Sequence, residues 1–160
     1  MRFAIVIPER FASTRFPGKP LHPLTGATGV AKSLIARSWE AAAQVPGAAR
    51  VVVATDDNRI TDACTALGAE VVMTPESCRN GTERCAAALD GLGADIDLVV
   101  NLQGDAPLTP PWFLTALVEA MAADPTIAMA TPVLRASHAL KSALQADRRA
   151  GRVGGTTAVF

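Results

Sequence analysis

Three stretches carry residue types and spacings that suit phosphate chemistry. The densest is Pro8-Glu9-Arg10-Phe11-Ala12-Ser13-Thr14-Arg15-Phe16-Pro17-Gly18-Lys19-Pro20, where cations, hydroxyls and a glycine sit among prolines that exclude regular helix. Arg presents a planar fork to phosphate oxygens, Lys a mobile point charge, and hydroxyls and backbone N–H groups fill the gaps. Composition leaves two readings open, a polyphosphate cradle and a solvated basic surface loop. A Walker loop requires Gly-x-x-x-x-Gly-Lys followed by Ser or Thr. Here Gly18-Lys19 precedes Pro20, and Ser13 stands where the first glycine belongs. The Gly-x-Gly-x-x-Gly dinucleotide fingerprint is absent too. The other two stretches are Arg79-Asn80-Gly81-Thr82-Glu83-Arg84 and Gln103-Gly104-Asp105. Asp56-Asp57 reads either as a metal site or as a helix cap plus a loop anchor.

The elements around these stretches alternate. Phe3–Ile7 reads as a short buried strand, and ligands of open α/β sheets bind in loops leaving strand carboxyl ends. Thr25–Gly29 reads as a turn, followed by a helix with Val30, Leu34, Ile35, Ser38 and Trp39 on one face and Pro46-Gly47 at its end. Arg50–Thr55 is a second strand. Asp57 caps a helix with Ile60, Ala63, Cys64 and Leu67 inward and Gly68 at its end, which makes Cys64 a core thiol. Ala69–Met73 is strand three, and the next helix turns Cys85, Ala88, Leu89 and Leu92 inward. Asp97–Leu102 is strand four. Thr109-Pro110-Pro111 opens a helix by cap and first-turn proline, burying Leu114, Leu117, Val118 and Met121. Ile127–Thr131 reads as strand five, Ser137–Arg149 as a short helix, and residues 153–160 as strand-like. Repeated strand-helix units with continuous apolar strands predict an α/β fold, a largely parallel sheet with helices on both faces.

Composition narrows the function classes. The chain has 160 residues, enough for one domain with its own core, and 49% are apolar but only 4% aromatic. Charges balance at 15 against 15, which argues against a nucleic-acid binder relying on bulk electrostatics. No apolar run is long enough to span a membrane, and no signal-peptide pattern opens the chain. Cys64, Cys78 and Cys85 form no Cys-x-x-Cys pair, and His22 and His138 lack ligand spacing, so cytosolic thiols are expected rather than zinc.

Taken together, Arg10-x-x-Ser13-Thr14-Arg15-x-Pro17-Gly18-Lys19-Pro20-Leu21, Val53-Ala54-Thr55-Asp56-Asp57, Val72-Met73-Thr74, Gly81-Thr82-Glu83-Arg84 and Val100-Asn101-Leu102-Gln103-Gly104-Asp105 resemble the signature of cytidylyltransferases that activate 3-deoxy-manno-octulosonate (Kdo). The motifs occur in one order and reach to about Val133. The resemblance implies a Rossmann-like nucleotide-diphospho-sugar transferase fold, here in a truncated form. Residues 1–160 would be a single nucleotide-binding domain, without the family's later acceptor-sugar and dimerisation part. It implies transfer of CMP from CTP to an acid sugar such as Kdo, releasing pyrophosphate, in cytoplasmic lipopolysaccharide biosynthesis. Arg10, Ser13, Arg15 and Lys19 would hold the triphosphate, with Lys19, Arg15 and Asp105 acting in catalysis. Asn80, Gly81, Thr82, Arg84 and Gln103 would hold base and ribose, and Asp105 would hold Mg2+. Partners would be CTP and an acid sugar, with neither nucleic acid nor membrane, and a homodimer for the full-length family member.

The chain departs from the family pattern in places. Gln103-Gly104-Asp105-Ala106-Pro107 has alanine where the family has Glu, Asn80 replaces Ser, Glu9 replaces Ala, and the Thr25–Gly29 turn differs. These changes leave open activation of a different, sialic-acid-like sugar. A non-catalytic nucleotide-binding domain is the other reading, if the chain naturally ends at residue 160. The resemblance further implies that these residues alone bind nucleotide without turnover.

Overall fold

Alternation along the first strand decides the layering. The computed structural model describes residues 1–12, 16–133 and 135–152. In it β1 (Phe3–Pro8) is buried along its whole length. Phe3, Ile5 and Ile7 enter one core, and Ala4 and Val6 enter another. A strand buried on both faces must lie inside a sheet covered by helices on either side.

The remaining strands are β2 (Pro23–Thr25), β3 (Ala31–Ser33), β4 (Arg50–Thr55), β5 (Glu70–Met73) and β6 (Leu98–Asn101). The helices are α1 (Leu34–Ala43), α2 (Asn58–Ala66), α3 (Gly81–Ala87), α4 (Leu89–Leu92), α5 (Pro111–Ala123) and α6 (His138–Arg149). The main sheet runs β5-β4-β1-β6, with every pairing parallel. Ile35 of α1, Ile60 and Cys64 of α2 and Leu114 of α5 join Ile5 and Ile7 in the first core. Cys85, Ala88 and Leu92 close the other face against Val6 and Val52. Each fully buried Ile contributes about 1.5–3 kcal/mol relative to exposure. The result is the parallel α/β sheet with helices on both faces that the pattern predicts, and it is Rossmann-like as the resemblance implies.

Local chemistry sets the element ends. Asp57 Oδ1 accepts from the Arg59 amide at 2.9 Å and caps α2, and Gly68 leaves it with φ 76°. Ser33 caps α1, so that helix begins later than its apolar face suggests, and Val30 is exposed. The residues before it form a hairpin, with Leu24 opposite Lys32 in an antiparallel pairing of β2 and β3. Arg37 fixes the hairpin on α1 by donating to the carbonyl oxygens of Leu24 (2.7 Å) and Val30 (3.0 Å).

Several expected details are corrected. Leu67 and Leu89 are exposed rather than inward. Leu89 turns out because the third helix breaks at Ala88, the residue that ends α3 and precedes α4. Thr109 does not cap α5; Pro110 occupies that position without a side-chain hydrogen bond, and the Thr109 amide donates to Ala106 in a turn. In α5 only Leu114 is fully buried. Residues 127–131 form no strand among the described residues. Asp124 instead holds a turn, accepting from the Thr126 amide (2.9 Å) and hydroxyl (2.6 Å). An apolar run without a ladder partner stays irregular.

The chain divides into two units, residues 1–128 and 129–160. The first contains the sheet. The second contains α6, capped by Ser137, whose Oγ accepts from the Leu140 amide at 3.2 Å; Arg148 and Arg149 complement its last turn. The strand-like reading of residues 153–160 lies outside the described residues. No helix among the described residues is long and apolar enough to cross a membrane.

Candidate functional site

The parallel register sends the carboxyl ends of β1 and β6 to one edge, with Val6 level with Asn101. Glu9 and Arg10 follow β1, Lys19 comes further along the same stretch, and Gln103 to Asp105 follow β6. Between them and the N-terminus of α3 lies a cleft of about 310 Å³, lined by Glu9, Arg10, Lys19, Asn80, Gln103 and Asp105 among others. That volume sits at the lower end of the range for small-molecule sites, about 300–1,000 Å³.

Each wall is built by a specific contact. The first loop is pinched at its neck, where the Gly18 amide donates to Phe11 O at 3.0 Å. Gly18 has φ 70°, and a Cβ there would stand 3.0 Å from Phe11 Cζ, so the neck suits glycine on both counts. Gly18 delivers Lys19 to the cleft, where Nζ donates to Asp105 Oδ2 at 2.8 Å. This ion pair joins the first and third loops. Behind it, the fully buried Ser38 hydroxyl donates to Gly104 O at 2.6 Å and ties the Gln103–Asp105 turn to α1.

Asn80 caps α3, its Oδ1 accepting from the Glu83 amide at 2.9 Å. The Gln103 amide nitrogen donates to Asn101 Oδ1 at 2.7 Å. The Gln103 side chain passes so close to Gly81 that a Cβ at 81 would stand 2.8 Å from Nε2 and Oε1. Gly81 therefore makes room for Gln103 to reach the cleft. A primary amide at that edge both donates and accepts, which suits a pyrimidine.

Arg84 has a different position from that of a free ligand-binding cation. Its side chain is 3% exposed, and its guanidinium donates to Thr74 Oγ1 (2.6 Å) and Asp56 Oδ2 (2.5 Å). It closes the floor of the cleft and clamps the ends of β4 and β5 to α3. Asp56 is thus the anchor and Asp57 the cap, the second of the two readings of that pair.

The structure gathers Arg10, Lys19, Asn80, Gly81, Arg84, Gln103 and Asp105 around one cleft. Thr82 lies on α3 outside the lining. Ser13 and Arg15 lie outside the described residues. Cys78 lines the cleft, whereas burial pushes Cys64 up to about 11 and Cys85 to about 12, so both are core thiols.

Glu9 is the residue that sequence reasoning registered only as a departure from a family pattern. Burial pushes its carboxyl from 4.5 up to about 8; the Asp105 charge adds to the rise, while Lys19, the Arg10 amide and Arg84 oppose it. Its Oε1 is buried with no hydrogen-bond partner among the described residues. The available signal was a charge directly at the carboxyl end of an otherwise apolar strand. An orphaned carboxylate oxygen and Asp105 in one open cleft fit a hard divalent cation that takes its remaining ligands from phosphate and water. No group of three or more His, Cys, Asp or Glu gathers among the described residues, so the cleft offers these two carboxyl groups and no third.

Comparison with known proteins places the chain in a family. Residues 4–147 match a family profile described as Cytidylyltransferase. A 3-deoxy-manno-octulosonate cytidylyltransferase of Maricaulis maris is 49% identical over 160 residues, covering 100% of this chain and 60% of that protein. A mitochondrial 3-deoxy-manno-octulosonate cytidylyltransferase of Arabidopsis thaliana is 46% identical, covering 80% of this chain and 42% of that protein. The chain therefore spans about half the length of the curated relatives it matches. A solved CMP:2-keto-3-deoxy-manno-octonic acid synthetase complexed with CTP superposes with a TM-score of 0.73 at 38% identity, over 79% of this chain and 50% of that one.

Proposed function

Because the chain belongs to the cytidylyltransferase family, we propose that its cleft binds CTP and that these residues are the nucleotide-binding domain of an enzyme transferring CMP to an acid sugar such as Kdo. The observation that carries the reading is the Lys19–Asp105 pair, which brings a phosphate-type cation and a metal-type carboxylate from adjacent loops to within 2.8 Å. The similarity to a synthetase solved with CTP, at 38% identity, supports the choice of nucleotide.

In this reading Arg10, Ser13, Arg15 and Lys19 cradle the triphosphate. Gln103, with Asn80 and Gly81, faces the base and ribose, while Thr82 stands behind them on α3. Arg84 acts by holding that wall in place rather than as a mobile ligand. A hydroxyl of the acid sugar attacks the α-phosphorus; the new P–O bond forms as the bond to the β-phosphate oxygen breaks. Pyrophosphate leaves, and the hydroxyl proton passes to solvent. Arg15 and Lys19 stabilise charge on the transferring and leaving phosphates, and positioning supplies much of the rest. Asp105 would hold Mg2+, which neutralises charge on the phosphates when bound.

The test is pyrophosphate release from CTP with Kdo, and with a sialic acid in its place. The assay is run on this chain and on a form extended to the length of its relatives. The extended form is expected to release pyrophosphate with CTP and Kdo, while residues 1–160 bind CTP without turnover. Comparable rates from both would place the sugar site within these residues. An extended form that binds CTP but releases nothing with either sugar would sink the catalytic reading.

A further inference from the structure

We propose that Glu9 joins Asp105 as a direct ligand of a divalent cation in the cleft. The cation's part in catalysis rests on the function proposed above; its binding does not. β1 and β6 are neighbours, so Glu9 and the Gly104–Asp105 turn leave the same edge of the sheet. The Glu9 carboxyl lies directly over Gly104, where a Cβ would stand 1.8 Å from Oε1. A side chain at 104 would displace the Glu9 carboxyl, and glycine leaves both carboxylates in one pocket.

The present contacts leave this arrangement electrostatically incomplete. Oε1 is buried and has no hydrogen-bond partner among the described residues. Asp105 lines the same cleft and follows directly on Gly104, over which the Glu9 carboxyl lies. Positive charge already sits there, since Lys19 Nζ stands 2.8 Å from Asp105 Oδ2. A hard cation held by both carboxyl groups gives the orphaned oxygen a partner. Two carboxylates, with phosphate and water completing the shell, are the usual protein share of a magnesium site. The next position after Asp105 is Ala106, so that turn offers no second carboxylate of its own.

Manganese(II) alone, titrated into the chain without nucleotide and followed by the EPR signal of the free ion, tests the assignment. Wild type is expected to bind saturably, and Glu9→Gln and Asp105→Asn each to weaken binding about tenfold or more. Glu9→Asp keeps the charge but retracts the carboxyl by one methylene, and is expected to weaken binding as Glu9→Gln does. Unfolding midpoints establish that each variant is folded. Glu9→Gln or Glu9→Asp binding manganese as wild type does would overturn the assignment, as would absence of saturable binding to wild type. Calorimetry with CTP and Mg2+ separates the two readings. CTP binding with manganese affinity indifferent to Glu9 refutes this inference alone. Manganese binding through Glu9 without CTP binding refutes the nucleotide reading alone.

Discussion

Glu9→Gln should stabilise the chain, and increasingly so as pH rises. The Glu9 carboxyl is held at about 8 in the folded chain against 4.5 as its ordinary value. Below about pH 4.5 both states carry the proton and burial costs nothing extra. Between 4.5 and 8 the unfolded chain ionises while the folded one keeps its proton, so stability falls as pH climbs. Above 8 both are ionised and the penalty is constant. At about 1.4 kcal/mol per pK unit the displacement corresponds to a ceiling of about 5 kcal/mol. Water entering the open cleft lowers this, and about 2–4 kcal/mol is expected. The assay is urea unfolding of wild type and Glu9→Gln in EDTA at intervals from pH 5 to 9. The difference between the two isolates Glu9 from every other titrating group. It should be smallest at pH 5, grow through 7 and level off above 8. A difference constant across that range would refute the argument that Glu9 is buried without adequate compensation.

Other perturbations test the walls of the cleft. Arg84→Met should cost about 3–5 kcal/mol in unfolding free energy by stranding Asp56, and Asp56→Asn added to it should recover part of the loss; additive losses would show the pair uncoupled. Ser38→Ala removes the sole buried donor described for Gly104 O and should cost about 1–3 kcal/mol by chemical unfolding. It should also weaken CTP binding by calorimetry, whereas loss of stability with unchanged CTP affinity would separate Ser38 from the site. Lys19→Ala should weaken CTP about tenfold or more while leaving cytidine nearly unaffected, because a charged contact to phosphate is worth about 1.5–3 kcal/mol. Equal weakening of both ligands would make Lys19 structural.

Much of the fold was legible because its signals are local. Arg50–Thr55 is an apolar run bounded by turns, and Asp57 and Gly68 mark the ends of α2 by cap chemistry and positive φ. The β2–β3 hairpin was not legible: its strands are three residues each, exposed or half-buried, with no clean alternation. Residues 127–131 failed in the opposite sense, since apolar content says nothing about whether a ladder partner is present. Leu89 was misplaced because helical spacing assumes an unbroken helix, and the break at Ala88 turns the face. In the site, the three loops were readable as chemistry, but their contacts were not. Arg84 reaches Asp56 across 28 positions of sequence, and only the parallel order of β4 and β5 explains why that guanidinium is buried. Glu9 was visible as a charge, and its burial over Gly104 required the β1–β6 register.

The central claim is that this cleft holds a cytidine nucleotide by both its triphosphate and its base. Calorimetric titration of the chain with CTP, UTP, ATP and GTP, each with Mg2+, tests it most directly. Phosphate contacts from Arg10 and Lys19 are common to all four, so any preference reports the base-facing wall of Asn80, Gly81 and Gln103. The account predicts saturable binding with CTP the tightest, by about tenfold or more over the purine nucleotides. Equal affinity for all four would leave only a generic phosphate cradle and contradict the account.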